Sequence, residues 1–230
     1  MPKAASKSLT QNKVKNMFGL FDKQSQNTIN IDSKTIEQLK KFNLVMGIVH
    51  LIQAALVFVL SNNFSLPVTT AFLGFDPKTK SISPVNNILF DLKIGPIVAL
   101  FFLISAAAHF SITTPKLFDW YATNLRKKIN YIRWYEYAFS SSIMIVLIAM
   151  LCGMYDLPSL VLLFTLNVIM NLCGLMMELY NQTTKSTKWT PFVIGCIAGI
   201  APWIAIVLYF YGASQNTSGA IPTFVYFILL

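Results

Sequence analysis

One stretch decides the fold of this chain: Arg133-Trp-Tyr-Glu136-Tyr137-Ala-Phe-Ser140-Ser-Ser142-Ile-Met-Ile-Val-Leu-Ile-Ala-Met-Leu151, in which an arginine and a glutamate lead into an uninterrupted apolar run. In a helix, residues three and four positions apart share a face, which here would carry Arg133, Glu136, Tyr137, Ser140 and Ser141. If the apolar run crosses a bilayer, Glu136 is a carboxylate inside or at the edge of the hydrocarbon. Such a group is costly there, so Glu136 is a candidate functional residue.

The composition is that of a membrane protein. Of the 230 residues, 55% are hydrophobic and 12% are charged, whereas soluble domains carry about 25% charged residues. The net charge of +9 comes from basic residues in the connections between apolar runs, which is typical of membrane orientation and not of nucleic-acid binding. Three cysteines inside apolar runs and two histidines do not make up a metal site. No nucleophile with an acid–base partner stands out, so we do not expect an enzyme.

Five apolar runs are long enough to cross a bilayer core, which takes about 20 helical residues. They predict an all-α transmembrane helix bundle over residues 42–230, behind a polar, lysine-rich tail at 1–41 with a short helix near 33–41. The first two expected spans lie at about 42–60 and 90–112, and the last two at about 158–180 and 190–211. Between them, the basic stretch 126–133 is expected to open the third helix, which spans to about residue 151. Residues 222–230 form an apolar stretch too short to cross, so we expect five full spans and a partial sixth.

The connections between the spans differ in length and charge. Residues 61–89 form a long polar connection in which we expect a short strand at 68–73 and a turn at 76–79. Residues 113–124 are expected to be a short linker. With the N-terminus inside, the inner segments carry fifteen Lys and Arg residues and the outer segments three. This imbalance predicts a cytoplasmic N-terminus and places the 61–89 loop outside.

Both histidines, His50 and His109, fall inside the expected spans at a depth that overlaps with Glu136, the one acidic residue well placed to face the bundle interior. They are consistent with one polar cluster in the inner half of the bundle, although a lone buried histidine is more often a hydrogen-bonded core residue. For Glu136 two interpretations are open. Arg133, one turn away, neutralises a functional carboxylate, or the two residues form a structural pair at the membrane edge with Arg133 reaching toward water.

Five segments of the chain resemble the heliorhodopsins. The third-span stretch Arg133-Trp-Tyr-Glu136-Tyr137 is similar to their third helix. The other four segments follow in the family's order: Gly47-Ile-Val-His50-Leu-Ile-Gln53, Ser105-Ala-Ala-Ala-His109-Phe110, Asn167 with Gly174-Leu-Met-Met177-Glu178, and Gly195-Cys-Ile-Ala-Gly-Ile-Ala-Pro202-Trp203-Ile. The resemblance covers about residues 40–230. It implies a seven-helix protein that binds all-trans retinal and has a cytoplasmic N-terminus.

The resemblance also implies residue roles. Glu136 would be the counterion of a protonated retinal Schiff base. His50, His109 and Gln53 would form a polar cluster that accepts the Schiff-base proton. The candidates for the retinal pocket are Arg133, Trp134, Tyr137, Ser141, Asn167 and Trp203.

One feature departs from the family. Heliorhodopsins attach retinal to a lysine in their seventh helix, within an Ala-Lys-Ser type of motif. Here no lysine lies in the interior of a span, and the nearest is Lys93, at the entrance to the second span. We expect the sequence to be incomplete at its C-terminus. The alternatives are that a second polypeptide supplies the missing helices or that the chain is a five-span relic.

The resemblance implies a light-sensing photoreceptor with a slow photocycle. We expect no ion pumping, because Glu136 is the one counterion candidate and no second carboxylate lies in the spans on the way from it to either side. The alternatives are a light-gated proton or ion channel and a chromophore-free membrane interaction protein. Lipid and retinal are the expected partners, and a homodimer contact or a signalling partner is a further expectation.

Overall fold

The computed structural model describes residues 28–216 as a mostly helical bundle with one β-hairpin. The helices are α1 (Ser33–Leu60), α2 (Ile94–Thr113), α3 (Pro115–Arg126), α4 (Tyr131–Leu151), α5 (Leu157–Tyr180) and α6 (Thr190–Asn216), and the strands are β1 (Ser65–Asp76) and β2 (Ser81–Lys93). All of the helices except α3 are long and apolar enough to cross a membrane, which confirms the five expected spans. The partial sixth span at 222–230 and most of the N-terminal tail lie outside the described residues.

Short polar side chains begin three of the helices. Asp32 accepts a hydrogen bond from the Thr35 N–H at 3.1 Å ahead of α1. Asn130 and Asp156 accept equivalent bonds from the backbone N–H groups three residues further on, at 3.1 Å each, ahead of α4 and α5. Each cap satisfies a donor that the first helical turn leaves unpaired. Continuous helix from Ser33 means that the short helix expected near 33–41 is the first part of α1.

The helices pack in the order α1, α2, α4, α5, α6, and α3 rests against α2 and α4. Glycines allow close approach at these contacts: the backbone of Gly47 faces the ring of Phe110, and that of Gly174 faces the indole of Trp134. An apolar cluster fills the end of the bundle nearest the hairpin, with Val68, Ile145, Met150, Leu160 and Ile206 among its buried members.

The connection between the first two spans is more regular than expected. β1 and β2 pair antiparallel from Ser65 opposite Lys93 to Asp76 opposite Ser81, with an irregularity after Val68. The prediction of a short strand at 68–73 was therefore too short, and the second span begins at Ile94 and not near residue 90. The apolar residues that extended the predicted span belong to β2, where cross-strand hydrogen bonds satisfy the backbone.

The prediction of a linker at 113–124 was wrong. Pro115 starts a separate helix, α3, since proline is favoured in a first turn and disfavours helix in the residue before it. Apolar side chains three and four positions apart pack Phe118 and Tyr121 against Ile112 and the first turns of α1. A turn then separates α3 from α4, so the 126–133 stretch does not open the third span as one helix.

The C-terminal ends of α3 and α4, which lie just before and just after α4 in the chain, have the same hydrogen-bonded structure. At the end of α3, Lys128 has a left-handed φ of 63°, and the N–H groups of Lys128 and Ile129 bond to the carbonyls of Leu125 and Asn124. At the end of α4, Gly153 has a φ of 97°, and Gly153 and Met154 repeat the same pair of bonds. This pattern is the Schellman motif, for which glycine is the favoured left-handed residue.

Candidate functional site

Glu136 lies between α2 and α4 and accepts one hydrogen bond. The hydroxyl of Ser105, a buried residue on α2, donates to Oε1 of Glu136 at 2.6 Å. Within residues 28–216 the other carboxylate oxygen accepts no hydrogen bond from the protein, and no Lys or Arg nitrogen lies within 4 Å of either oxygen. The carboxylate is half-buried and oriented by a neutral donor, and among residues 28–216 it has no Lys or Arg partner.

The two histidines stack face to face between α1 and α2. Their ring centroids are 5.4 Å apart with 15° between the planes. Nδ1 of His50 lies 2.9 Å from Oε1 of Gln53, and Nδ1 of His109 lies 2.8 Å from Oδ1 of Asn43. His109 is one helical turn beyond Ser105, so the carboxylate and the imidazole pair adjoin along α2.

Asn43 determines which nitrogen of His109 carries a proton. The amide nitrogen of Asn43 donates to the Leu39 carbonyl at 2.8 Å, which orients the amide oxygen toward the ring. An amide oxygen only accepts, so Nδ1 of His109 is the donor and Nε2 of the neutral ring is the nitrogen available to take up a proton. We call His50, Gln53, Ser105, His109 and Glu136 the His–Glu cluster.

Arg133 does not pair with Glu136, and both interpretations of that pair were wrong. Its guanidinium donates to Oε1 of Glu178 at 2.5 Å, and the other oxygen of Glu178 accepts the backbone N–H of Asn130 at 2.8 Å. The guanidinium also lies 4.5 Å from the centre of the Trp134 ring. Arg133 therefore joins the start of α4 to the end of α5, while Glu136, three residues on, turns toward α2.

A second polar group joins the middles of α4 and α5. The amide nitrogen of Asn167 donates to Ser141 and Ser142 at 2.7 and 3.0 Å, and that of Asn171 donates to Ser141 at 3.1 Å. The hydroxyl of Ser141 donates in turn to the Tyr137 carbonyl at 2.5 Å. Hydrogen bonds of this kind hold helices together where no water competes.

The remaining pocket candidates are dispersed over the helices. Trp134 is partly buried against Gly174, and its indole N–H is buried without a hydrogen-bond partner in the part of the chain that the structure describes. Tyr137 and Trp203 are 48% and 45% exposed, on α4 and α6 respectively. The described residues therefore bring together Glu136 and the histidines, and separately Ser141 and Asn167, but leave Tyr137 and Trp203 on open surface.

Ser105, Asn43 and Glu178 were missed from the sequence as partners in the site. Ser105 lies four residues before His109, and Asn43 lies seven before His50, so helical spacing places each on the face of a residue already singled out. That signal does not reveal which of the many Ser and Asn residues has a partner on another helix.

These features define a multi-pass helical membrane protein with a half-buried carboxylate and stacked imidazoles between its first three spans. The heliorhodopsin family model matches residues 39–230, and the chain belongs to the heliorhodopsin family. No curated protein matches the chain. At the level of the family, this is a retinal-based, light-sensing integral membrane protein.

Proposed function

We propose that this heliorhodopsin is a photoreceptor in which Glu136 is the counterion of a protonated retinal Schiff base. When bound, retinal supplies the absorption of visible light and a delocalised positive charge. The observation that carries the proposal is a carboxylate within a span, with one neutral donor and no cationic partner among residues 28–216.

Charge balance supports this role. An ionised carboxylate in the low-dielectric interior of a bundle is stabilised only when a nearby cation compensates its lost hydration. Arg133, the nearest cation along the helix, is engaged by Glu178. A cation brought by the ligand fits the free oxygen of Glu136, and the Ser105 hydroxyl keeps the carboxylate in one orientation.

The stacked histidines suit the role of proton acceptor. His109 lies beside the counterion and has Nε2 available for a proton, and His50 stacks on it within the same cluster. A proton that leaves the ligand would then stay within the His–Glu cluster.

The distribution of polar groups favours a sensor over a pump or a channel. The His–Glu cluster lies on the side of the bundle away from the hairpin, whereas the hairpin side is filled by the apolar cluster around Met150 and Ile206. In the described residues no Asp, Glu, His, Lys or Arg side chain continues from Glu136 through that apolar layer. We therefore infer that there is no net ion transport, and we propose the slow photocycle that the resemblance to the family implies. The family is not a classical enzyme family.

The orientation and the attachment of retinal are also proposals. The excess of basic residues at the end away from the hairpin supports a cytoplasmic N-terminus. In the described spans the lysines of α1 lie within its first nine residues, and Lys93 is at the N-cap of α2. Whether retinal is attached covalently, and to which residue, can be measured directly. Borohydride reduction followed by peptide mapping will show whether and where the link is covalent. A homodimer and a signalling partner stay predictions.

The test is an absorption spectrum of the natural gene product expressed with all-trans retinal. We expect a visible band that Glu136→Gln moves to longer wavelength or abolishes, since a neutral amide no longer stabilises the ground-state charge. Glu37→Gln, which removes an exposed carboxylate paired with Lys41, is the control and should leave the band in place. An unchanged band in Glu136→Gln would refute the counterion role, and no band at all would support a chromophore-free membrane protein.

Voltage clamp separates the sensor from the channel. We expect no light-evoked current. A current that disappears in Glu136→Gln would instead favour a light-gated proton or ion channel.

A further inference from the structure

The charges of the described chain are concentrated at one end of the bundle. The end that carries α3 has ten Lys and Arg residues against four Asp and Glu, whereas the hairpin end has three of each. Contacts confirm that these basic segments share one end: Gln182 at the end of α5 donates to the Lys127 carbonyl at 2.9 Å, and the N–H of Ile29 donates to the Arg126 carbonyl at 2.9 Å.

Most of the acidic residues at that end are already engaged. Glu178 pairs with Arg133, Glu37 pairs with Lys41, and Asp32 caps α1. Six exposed lysines at that end have no acidic partner within 4 Å among residues 28–216. One of them, Lys34, lies at the start of α1, ahead of its apolar run, and the other five together we call the basic face. They are Lys116, Lys127, Lys128, Lys185 and Lys188.

The basic face lies next to the ends of the spans. Each of its lysines is within five residues of the end of a membrane-spanning helix in the sequence. Two exposed indoles accompany them: Trp120 on α3, 42% exposed and 5.4 Å from the Tyr131 ring, and Trp189, 57% exposed, beside Lys188. Tryptophan and tyrosine are enriched at the level of lipid headgroups, and lysines near span ends extend to the same level.

The helix α3 holds this arrangement against the bundle. Its apolar side chains Phe118 and Tyr121 are buried against α1 and α2, while Lys116 and Trp120 are on its exposed surface. An amphipathic helix with basic and indole side chains outward is the form that proteins use in the plane of a membrane interface.

We propose that the basic face binds the headgroups of anionic phospholipids in the leaflet around it. Lysine ammonium groups bind phosphate as mobile point charges, and several of them near one leaflet raise the local concentration of anionic lipid. The exposed indoles favour a lipid surface over a soluble polyanion, because a soluble partner gains nothing from aromatic rings placed at the depth of the headgroups.

The experiment measures lipid preference directly on the whole chain. The protein is reconstituted with spin-labelled phosphatidylglycerol or phosphatidylcholine, and the ratio of their association constants is taken from the motionally restricted spectrum. We expect the ratio of the phosphatidylglycerol to the phosphatidylcholine association constant to be about two or more. It should fall toward one in 1 M salt, where the Debye length is about 3 Å.

Two matched triple variants locate the preference. Lys116→Gln, Lys127→Gln and Lys128→Gln together should bring the ratio close to one. Lys78→Gln, Lys80→Gln and Lys93→Gln together remove the same charge from the hairpin end and should leave the ratio unchanged. If the first variant does not fold, Lys185→Gln with Lys188→Gln tests the same face and should lower the ratio partway.

Three results would overturn the proposal. A wild-type ratio of one excludes a preference for anionic lipid. An equal loss in both triple variants shows an effect of net charge without a defined surface. A third outcome combines two results: the ratio is one, and the wild-type protein in phosphatidylcholine discs binds heparin while the first triple variant does not. That outcome shows a soluble anionic partner instead of a lipid.

Discussion

The contact between Gly174 and Trp134 makes the sharpest stability prediction. A Cβ added at Gly174 would overlap Cη2 and Cζ3 of the Trp134 indole, a rigid ring whose centre lies 4.5 Å from the Arg133 guanidinium. Gly→Ala within a helix normally stabilises by about 0.5–1 kcal/mol. Forcing a group into a packed interface costs about 1–3 kcal/mol. We therefore expect Gly174→Ala to lower the free energy of unfolding by about 1–2 kcal/mol.

Gly199 is a matched control on the neighbouring contact. A Cβ at Gly199 would meet the sulfur and Cγ of Met170, and a methionine side chain can move aside because it is flexible. Gly199→Ala should therefore leave the free energy of unfolding unchanged or raise it by about 0.5 kcal/mol, which is the helix-propensity gain reduced by the repacking of methionine.

The assay is reversible unfolding of both variants in mixed micelles titrated with a denaturing detergent. The double variant Gly174→Ala with Trp134→Phe completes a cycle: the smaller ring makes room for the methyl group, and the replaced indole N–H has no hydrogen-bond partner within residues 28–216. We expect a coupling energy of about 1 kcal/mol or more between the two positions. Equal stabilities for Gly174→Ala and Gly199→Ala, or additive effects in the double variant, would refute the reasoning.

Three further predictions follow from single features. Glu178→Gln, which breaks the half-exposed ion pair with Arg133, should lower the free energy of unfolding by about 1 kcal/mol, and this loss should shrink in high salt. Lys128→Gly should raise the free energy of unfolding by about 0.5–1 kcal/mol, because glycine adopts the left-handed backbone of this position without strain. Gly153→Ala introduces that strain at the equivalent position after α4 and should lower the free energy of unfolding by about 1 kcal/mol. The pKa of Asp76 is below its usual range because the backbone N–H of Lys78 donates a hydrogen bond to its carboxylate. The ionised carboxylate therefore helps to order the hairpin turn at any pH above the unfolded-state pKa. This contribution is lost as the pH falls through the lower folded-state pKa.

Each of these has its own readout. Detergent unfolding of Glu178→Gln at two salt concentrations measures the contribution of the ion pair to the free energy of unfolding. A loss of stability that is the same at both concentrations would contradict an electrostatic contribution. Thermal midpoints compare the two helix ends, where a destabilised Lys128→Gly would show that its backbone is not strained. Protection factors of the turn amides, which correct for the pH dependence of intrinsic exchange, follow Asp76 between pH 6 and 2. In the control Asp76→Asn these factors should not fall on acidification.

Local signals in the sequence predict the spans well. The length and apolarity of the five runs are sufficient, because a helix satisfies its own backbone and needs only enough apolar residues to cross the hydrocarbon. The turn residues of the hairpin and the caps Asp32, Asn130 and Asp156 are likewise local, since each bonds to a group within three residues.

What the sequence alone determined is therefore the membrane class, the number of full spans, and the identity of Glu136, His50 and His109 as polar residues within them. Only the tertiary structure decided the partners: Ser105 for Glu136, Asn43 for His109, and Glu178 for Arg133, pairs that are 31, 66 and 45 residues apart. The nearest charge along the helix was the wrong partner for Glu136, because neighbouring side chains on one helix can turn toward different helices. Which helix lies beside each face is set by packing of the whole bundle, and no local pattern encodes it.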